Sequence, residues 1–147
     1  KQSPKSQCIQ LAGNHTDRPI KRIIESTPEL LPLINVNQFL TFDGVKTIYD
    51  SREEFVIDDI IFIHGFLSKL GDHSLFYNKS VVCGHSHRAG IVYHNRFGSN
   101  KQPIFEFNCG YIGNDSAVPF RYTPTKFSKW TRGVGLIDEF GPRFISL

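Results

Sequence analysis

The sequence carries little net charge, no long apolar run and no paired cysteine motif. Seventeen Lys and Arg against fourteen Asp and Glu give a net charge of +3, too small a bias to indicate nucleic-acid wrapping or a membrane-surface helix. The longest apolar run, residues 60–67, is interrupted by His64 and Gly65. It is far shorter than the roughly 20 residues needed to cross a bilayer. The short apolar run excludes a membrane-spanning helix. Because the net charge does not indicate a partner, the partner has to be inferred from a candidate binding site.

The cysteines and the first residues of the chain indicate the compartment in which we expect the protein. Cys8, Cys83 and Cys109 form no C-x-x-C motif, and an odd number cannot all pair within one chain. The first seven residues are polar and lack the apolar stretch of a signal peptide. We therefore expect a protein of a reducing compartment, the cytoplasm. Because the first residue is not Met, we also expect the natural sequence to extend upstream of Lys1.

The apolar pattern predicts a mixed α/β fold. Hydrophobic residues make up 39% of the chain, with thirteen Phe, which is enough for a globular core. Pro19 and the apolar residues after it predict a helix that ends near Thr27. Short apolar runs bounded by Gly, Pro, Asn and Ser predict strands. These runs are Cys8–Ala12, Val45–Tyr49, Ile60–Ile63, Ser80–Cys83, Ile91–Tyr93, Ile104–Phe107, Val134–Ile137 and Phe144–Leu147.

Three polar loops that directly follow apolar strands contain histidine. They are Asn14-His15, His64-Gly65 and His85-Ser86-His87. Open α/β sheets place ligand sites at the carboxyl ends of strands, so we expect these loops to converge. Imidazoles and an amide oxygen in one crevice suit zinc, manganese or iron.

Plainer interpretations remain open. A lone histidine at a strand end is most often a rim residue, and this interpretation is the favoured one for His73 and His94, to which no function is assigned. His85 and His87, two residues apart, would also share one face of an ordinary surface strand.

The order of these motifs resembles that of the calcineurin-like metallophosphoesterases. The resemblance is carried by Gly13-Asn14-His15, His64-Gly65, Gly84-His85-Ser86-His87 and Asn108-Cys109-Gly110, and it covers the chain from about Leu11 to its end. It implies a mixed β-sandwich flanked by helices, with two divalent metal ions (Mn, Zn or Fe) at the strand ends.

The resemblance also implies a role for each motif residue. Asn14, His64 and His85 would hold one metal ion, and His87 would hold the other. His15 would be the acid that protonates the leaving group, and Arg88 and Asn108 would contact the substrate. Two adjacent metal ions can bind a bridging hydroxide and neutralise charge on an in-line phosphoryl transition state.

Two motifs of that family do not precede Gly13 in this sequence. Asp-x-His and Gly-Asp strand ends supply most ligands of the first metal and the bridging carboxylate, and they would need two upstream strand-helix units of roughly 30 residues each. We therefore interpret residues 1–147 as the carboxyl-terminal part of a single domain whose amino-terminal strands are missing. A missing amino-terminal segment or a partner chain would complete the site, and the isolated chain would hold one metal ion or none.

The expected function is metal-dependent hydrolysis of a phosphate mono- or diester through this completed site. The alternative is a non-catalytic, degenerate phosphoesterase-like interaction module with at most one metal ion. A nucleic acid is one candidate substrate, because basic and aromatic side chains interleave between residues 120 and 132. Those residues are Phe120, Arg121, Tyr122, Lys126, Phe127, Lys129, Trp130 and Arg132. An ordinary loop with solvated basic groups is the simpler interpretation of that segment.

Overall fold

The computed structural model describes residues 6–35, 41–96, 102–113 and 129–147. The elements, in chain order, are β1 (Cys8–Leu11), α1 (Asn14–Ser26), a 3₁₀ helix (Pro28–Leu33), β2 (Val45–Ile48), β3 (Phe55–Ile57), β4 (Ile60–Phe62), α2 (Asp72–Tyr77), β5 (Ser80–Cys83), β6 (Ala89–His94), β7 (Ile104–Cys109), β8 (Gly133–Asp138) and β9 (Gly141–Ser146). This content confirms a mixed α/β fold made mostly of strands. Its arrangement as a β-sandwich stays a prediction.

Two compact units divide the chain, Lys1–Glu53 and Glu54–Leu147. Within the described residues, none of the helices combines the length and apolar character needed to traverse a bilayer.

The first unit is a parallel strand pair joined by a helix. β1 pairs in parallel with β2, and Ala12 N–H continues the ladder by donating to Ile48 C=O at 2.8 Å. Helix α1 begins at Asn14 because the Thr16 side chain caps it, accepting from Gly13 N–H at 2.8 Å. The polar loop predicted at Asn14-His15 is therefore wrong, since these two residues lie in the first turn of this helix. Pro19, expected near the helix start, lies inside it.

The second unit contains a five-stranded mixed sheet of order β3-β4-β5-β7-β6. β4, β5 and β7 run parallel, and an antiparallel strand closes each side, β3 against β4 and β6 against β7. The carboxyl ends of the three parallel strands therefore meet at one edge of the sheet. A hairpin of β8 and β9 completes the unit.

The core of this unit lies on the central strands. Ile61 and Ile63 pack with Val81 and Cys83, and Tyr77 of α2 packs against them. Phe107 of β7 is fully buried. Gly135 of β8 lies against its ring, because a Cβ at this position would come within 2.7 Å of the Phe107 ring. Apolar burial of this kind contributes roughly 1.5 to 3 kcal/mol for each large side chain. It holds the central strands, and with them the loops at their carboxyl ends.

Candidate functional site

His64 and His85 are brought together by the parallel pairing of β4 and β5. His64 lies two residues beyond β4 and His85 two residues beyond β5, and Gly84 N–H donates to His64 C=O at 3.0 Å. His85 Nδ1 lies 3.3 Å from His64 Nε2, and the rings meet edge to face at 83°. Two ring nitrogens thus face each other at the edge of the sheet.

The loop after β5 has an unusual backbone. His85 (φ 55°) and His87 (φ 61°) both adopt the left-handed region, which costs energy for a residue with a Cβ. Such conformations persist where surrounding contacts enforce them, and they cluster at functional sites.

Gly65 provides the space that the His64 and His85 loops need. Its φ is +98°, and a Cβ there would lie 3.3 Å from the Cβ atoms of Cys83 and His85. Glycine at this position therefore satisfies both the backbone conformation and the close approach of the two loops.

Asn108, at the end of β7, holds the loop that carries His85. Its side-chain amide donates to Gly84 C=O and, at 2.8 Å, to Ser86 Oγ, and its Oδ1 accepts from Gly110 N–H at 3.2 Å. The residue is 4% exposed. Its observed contacts make Asn108 a positioning residue for the histidine loop, while substrate contact by Asn108 stays a prediction.

The electrostatic environment favours a neutral His85. Burial lowers the pKa of His85 below its usual value, and its electrostatic interaction with His73 acts in the same direction. A neutral imidazole keeps a lone pair that can bind a metal ion. Two nitrogens each about 2.05 Å from a tetrahedral zinc ion lie about 3.3 Å apart, the separation of these two. The same separation also suits a hydrogen bond from one ring to the other, so the role of His64 and His85 as two ligands of one ion stays a prediction.

His87 lies in an aromatic group. Its ring stacks on Tyr111 at a centroid distance of 5.6 Å and meets Trp130 edge-on at 4.4 Å. Thr131 N–H donates to His87 C=O at 2.9 Å. These contacts fix the orientation of His87, and its role as a ligand of the second metal ion stays a prediction.

One further group could hold a metal ion. His73, Cys83 and Glu106 are buried, their ligand atoms lie within 4.8 Å of one another, and together they could bind one ion. The His73 Nδ1–Glu106 Oε1 distance is 3.4 Å, and Cys83 Sγ lies 3.9 Å from the same nitrogen. Within the described ranges this is the one group of three or more His, Cys, Asp or Glu side chains with that geometry. The described residues therefore bring no carboxylate into a three-ligand group with His64 and His85.

The hydrogen bonds of this buried group suit an ion-free state. His73 Nε2 accepts from Phe66 N–H and Leu67 N–H, both at 3.0 Å, so its hydrogen lies on Nδ1, directed at Glu106. An ion bound at Nδ1 would move that hydrogen to Nε2, against two N–H donors. Burial also raises the pKa of Cys83 far above neutrality, which keeps the thiol protonated.

Glu106 caps helix α2. Its Oε2 accepts from His73 N–H at 2.8 Å and from Ser74 N–H at 3.0 Å, which satisfies two donors at the start of the helix. Burial acts to raise the pKa of Glu106, but the hydrogen bonds from the His73 ring and from backbone N–H groups hold it below its ordinary value.

The buried His73–Glu106 pair holds the backbone next to His64. His73 binds the backbone at residues 66 and 67, just after His64 and Gly65, and its Cε1 lies 3.4 Å from where a Gly65 Cβ would be. Sequence reasoning made His73 a rim residue, which is wrong, because it is 1% exposed. No local signal identifies it, since its partner Glu106 is 33 residues away.

The other predicted site residues are placed as follows. Asn14 and His15 follow β1 in the first unit, and their joining with His64 and His85 stays a prediction. Arg88 is exposed and directly precedes β6. In the basic and aromatic segment, Lys129, Trp130 and Arg132 are described. Phe120, Arg121, Tyr122, Lys126 and Phe127 lie outside the described residues.

Comparison with known proteins adds a distant relative. No family model and no solved structure matches the chain. The chain is similar to the gene 54 protein of Mycobacterium phage L5, with 27% identity over 145 residues. The match covers 88% of this chain and 55% of the phage protein, so the chain spans about half the length of this relative.

Proposed function

We propose that the chain supplies part of the active site of a metal-dependent phosphate-ester hydrolase. The observation that carries the proposal is the 3.3 Å approach of His64 Nε2 and His85 Nδ1 at the carboxyl edge of a parallel sheet. This geometry is supported by left-handed His85 and by the Asn108 and His73 contacts to the flanking backbone.

Each of these residues has a separate role in the proposed hydrolysis. His64 and His85 would hold one divalent ion with Asn14, and His87 would help to hold the other. The ions would lower the pKa of a bound water and neutralise the charge on the phosphoryl group. His15, exposed in the first turn of α1, would give its proton to the departing alkoxide, an effect worth roughly 10² to 10⁴ in rate.

Residues outside this chain are required by the proposal. The described residues bring no carboxylate into a three-ligand group with His64 and His85, and two adjacent divalent ions without such a ligand repel each other strongly. The phage relative is also longer than the region it shares with this chain. Carboxylates from an upstream segment or a partner chain would bridge the ions.

The test is hydrolysis of bis(p-nitrophenyl) phosphate by the protein with its natural upstream sequence, in Mn²⁺ or Zn²⁺. We expect His64→Ala and His85→Ala each to lower kcat/KM at least 100-fold, with His94→Ala as the control. No hydrolysis by the full protein in any divalent metal, or full activity of His85→Ala, would refute the proposal.

The second candidate is a non-catalytic module with at most one metal ion. It is favoured by the lack of a carboxylate grouped with His64 and His85 among the described residues. Metal analysis of the full protein separates the two functions. Two ions per chain support the hydrolase, whereas one ion or none, together with no hydrolysis, supports the module.

A further inference from the structure

An open cleft of about 560 Å³ lies beside the histidine loop. It is lined by Ser68, Lys69, Leu70, Ser86, Arg88 and Ala89. Its walls come from the β4–α2 loop and the β5–β6 loop, so it belongs entirely to the second unit. Ser86 stands between His85 and His87 in the sequence, so one wall of the cleft belongs to the loop that carries both histidines.

The charged groups of the cleft are all cationic. Lys69 and Arg88 line it, and no Asp or Glu is among the lining residues. The Arg88 guanidinium has no ion-pair partner in the part of the chain that the structure describes. Lys69 lies 3.8 Å from Asp72 Oδ1 but is 84% exposed, so solvent screens that pair and leaves the ammonium free to bind another anion.

The two serine hydroxyls of the cleft can donate hydrogen bonds to a ligand. Ser86 Oγ accepts from the Asn108 amide at 2.8 Å and from Arg88 N–H at 3.4 Å. With its lone pairs used in this way, its hydroxyl hydrogen is the remaining group it can offer to a ligand. Ser68 Oγ has no hydrogen-bond partner among the described residues.

The floor of the cleft is fixed by packing. Gly90 of β6 lies under Leu70, since a Cβ at Gly90 would come within 2.7 Å of Leu70 Cδ2. Asn108 anchors the opposite wall through Ser86. The donors are therefore carried by loops whose backbones are held before a ligand arrives, which lowers the ordering cost of binding.

We propose that this cleft binds a phosphate group of the ligand, next to the ester that is hydrolysed. A planar guanidinium, an ammonium and two hydroxyls match the several acceptor oxygens of a tetrahedral oxyanion. The preferred substrate then carries a second phosphate beyond the reacting one. Only that identification of the ligand as substrate rests on the proposed hydrolase function, because binding of free phosphate does not require hydrolysis.

The experiment is an NMR titration of the ¹⁵N-labelled protein with inorganic phosphate, in EDTA so that metal ions do not contribute. We expect saturable shifts at the backbone amides of Ser68, Lys69, Ser86 and Arg88. Arg88→Ala should weaken binding at least tenfold, Ser68→Ala should weaken it a few-fold, and Arg88→Lys should restore part of the affinity.

Lys79→Ala is the matched control. Lys79 precedes β5 at the opposite end of that strand from Arg88, and removing it also takes away one positive charge. Its variant should bind phosphate within twofold of the parent. Absence of saturable shifts, or equal weakening by Lys79→Ala and Arg88→Ala in folded proteins, would overturn the phosphate site. Failure of hydrolysis alone would overturn the hydrolase proposal and leave this binding result intact.

Discussion

Asn108 donates a hydrogen bond of 2.8 Å to Ser86 Oγ, joining the end of β7 to the loop between two histidines. The same buried amide, 22 residues away in sequence, also donates to Gly84 C=O, so it restrains the loop that carries His85 and His87. It also orients the Ser86 hydroxyl that lines the cationic cleft. One side chain therefore links the proposed metal ligands to the proposed phosphate site.

Asn108→Leu tests this link. The substitution removes the amide's two donors and the acceptor of Gly110 N–H. Gly84 C=O then keeps only its bond from Ser86 N–H, and Ser86 Oγ only its bond from Arg88 N–H. We expect a loss of about 1 to 3 kcal/mol in the free energy of unfolding, measured by urea denaturation, with faster hydrogen exchange in residues 84–88. Unchanged exchange in that loop would show that other contacts hold it.

Glu106→Gln tests the capping of α2. Both backbone N–H groups of His73 and Ser74 donate to Oε2, so a glutamine that keeps its oxygen there turns its NH₂ group toward His73 Nδ1, which carries the ring hydrogen. We expect a loss of roughly 1 to 3 kcal/mol in the free energy of unfolding. Glu139→Gln, in the exposed turn between β8 and β9, is the matched control and should leave stability within about 0.5 kcal/mol.

The Glu106 carboxylate should make the folded protein less stable in acid. Because hydrogen bonds hold the folded-state pKa of Glu106 below its ordinary value, its contribution is fully present above the unfolded pKa of roughly 4.3. That contribution is lost as the pH falls through the lower folded value. Urea midpoints measured from pH 7 to pH 3 should therefore drop less steeply for Glu106→Gln than for the parent. Parallel curves would contradict this assignment.

Cobalt binding separates the two candidate metal groups. If the ion binds at His64 and His85, either alanine variant should lower Co²⁺ affinity at least tenfold, and Cys83→Ala should leave it unchanged. If the ion binds at His73, Cys83 and Glu106, the spectrum should contain a thiolate-to-cobalt band that Cys83→Ala removes. The hydrogen bonds to His73 Nε2 favour the first outcome.

Gly65→Ala tests the packing beneath the two histidines. Gly65 and Gly44 both have φ in the left-handed region, at +98° and +74°, but only at Gly65 would a new Cβ meet neighbours, 3.3 Å from Cys83 and His85. Both alanine variants should lose about 1 kcal/mol from backbone strain. Gly65→Ala should lose more because of the crowding. Equal losses, compared by urea denaturation, would mean that the two loops accommodate the methyl group.

Much of the strand content can be predicted from apolar runs alone. The run at Ser80–Cys83 coincides with β5, and Ile60–Ile63 extends one residue beyond β4. The predictions fail where local pattern is weak. β3 is three residues long and α2 is six. α2 owes its start to Glu106, a residue distant in sequence.

The candidate site also has a part that the sequence predicts and a part that it does not. Sequence alone determined that His64 and His85 follow buried strands, because apolar runs that end in Gly and polar residues specify strand ends locally. Only the tertiary structure decided that β4 and β5 are parallel neighbours, which sets the 3.3 Å approach of the two rings. It also decided that Glu106 bonds to His73 and that Asn108 bonds to the loop after β5. Those contacts join residues 22 to 33 positions apart, and the pairing of distant strands, which no local pattern encodes, brings them together.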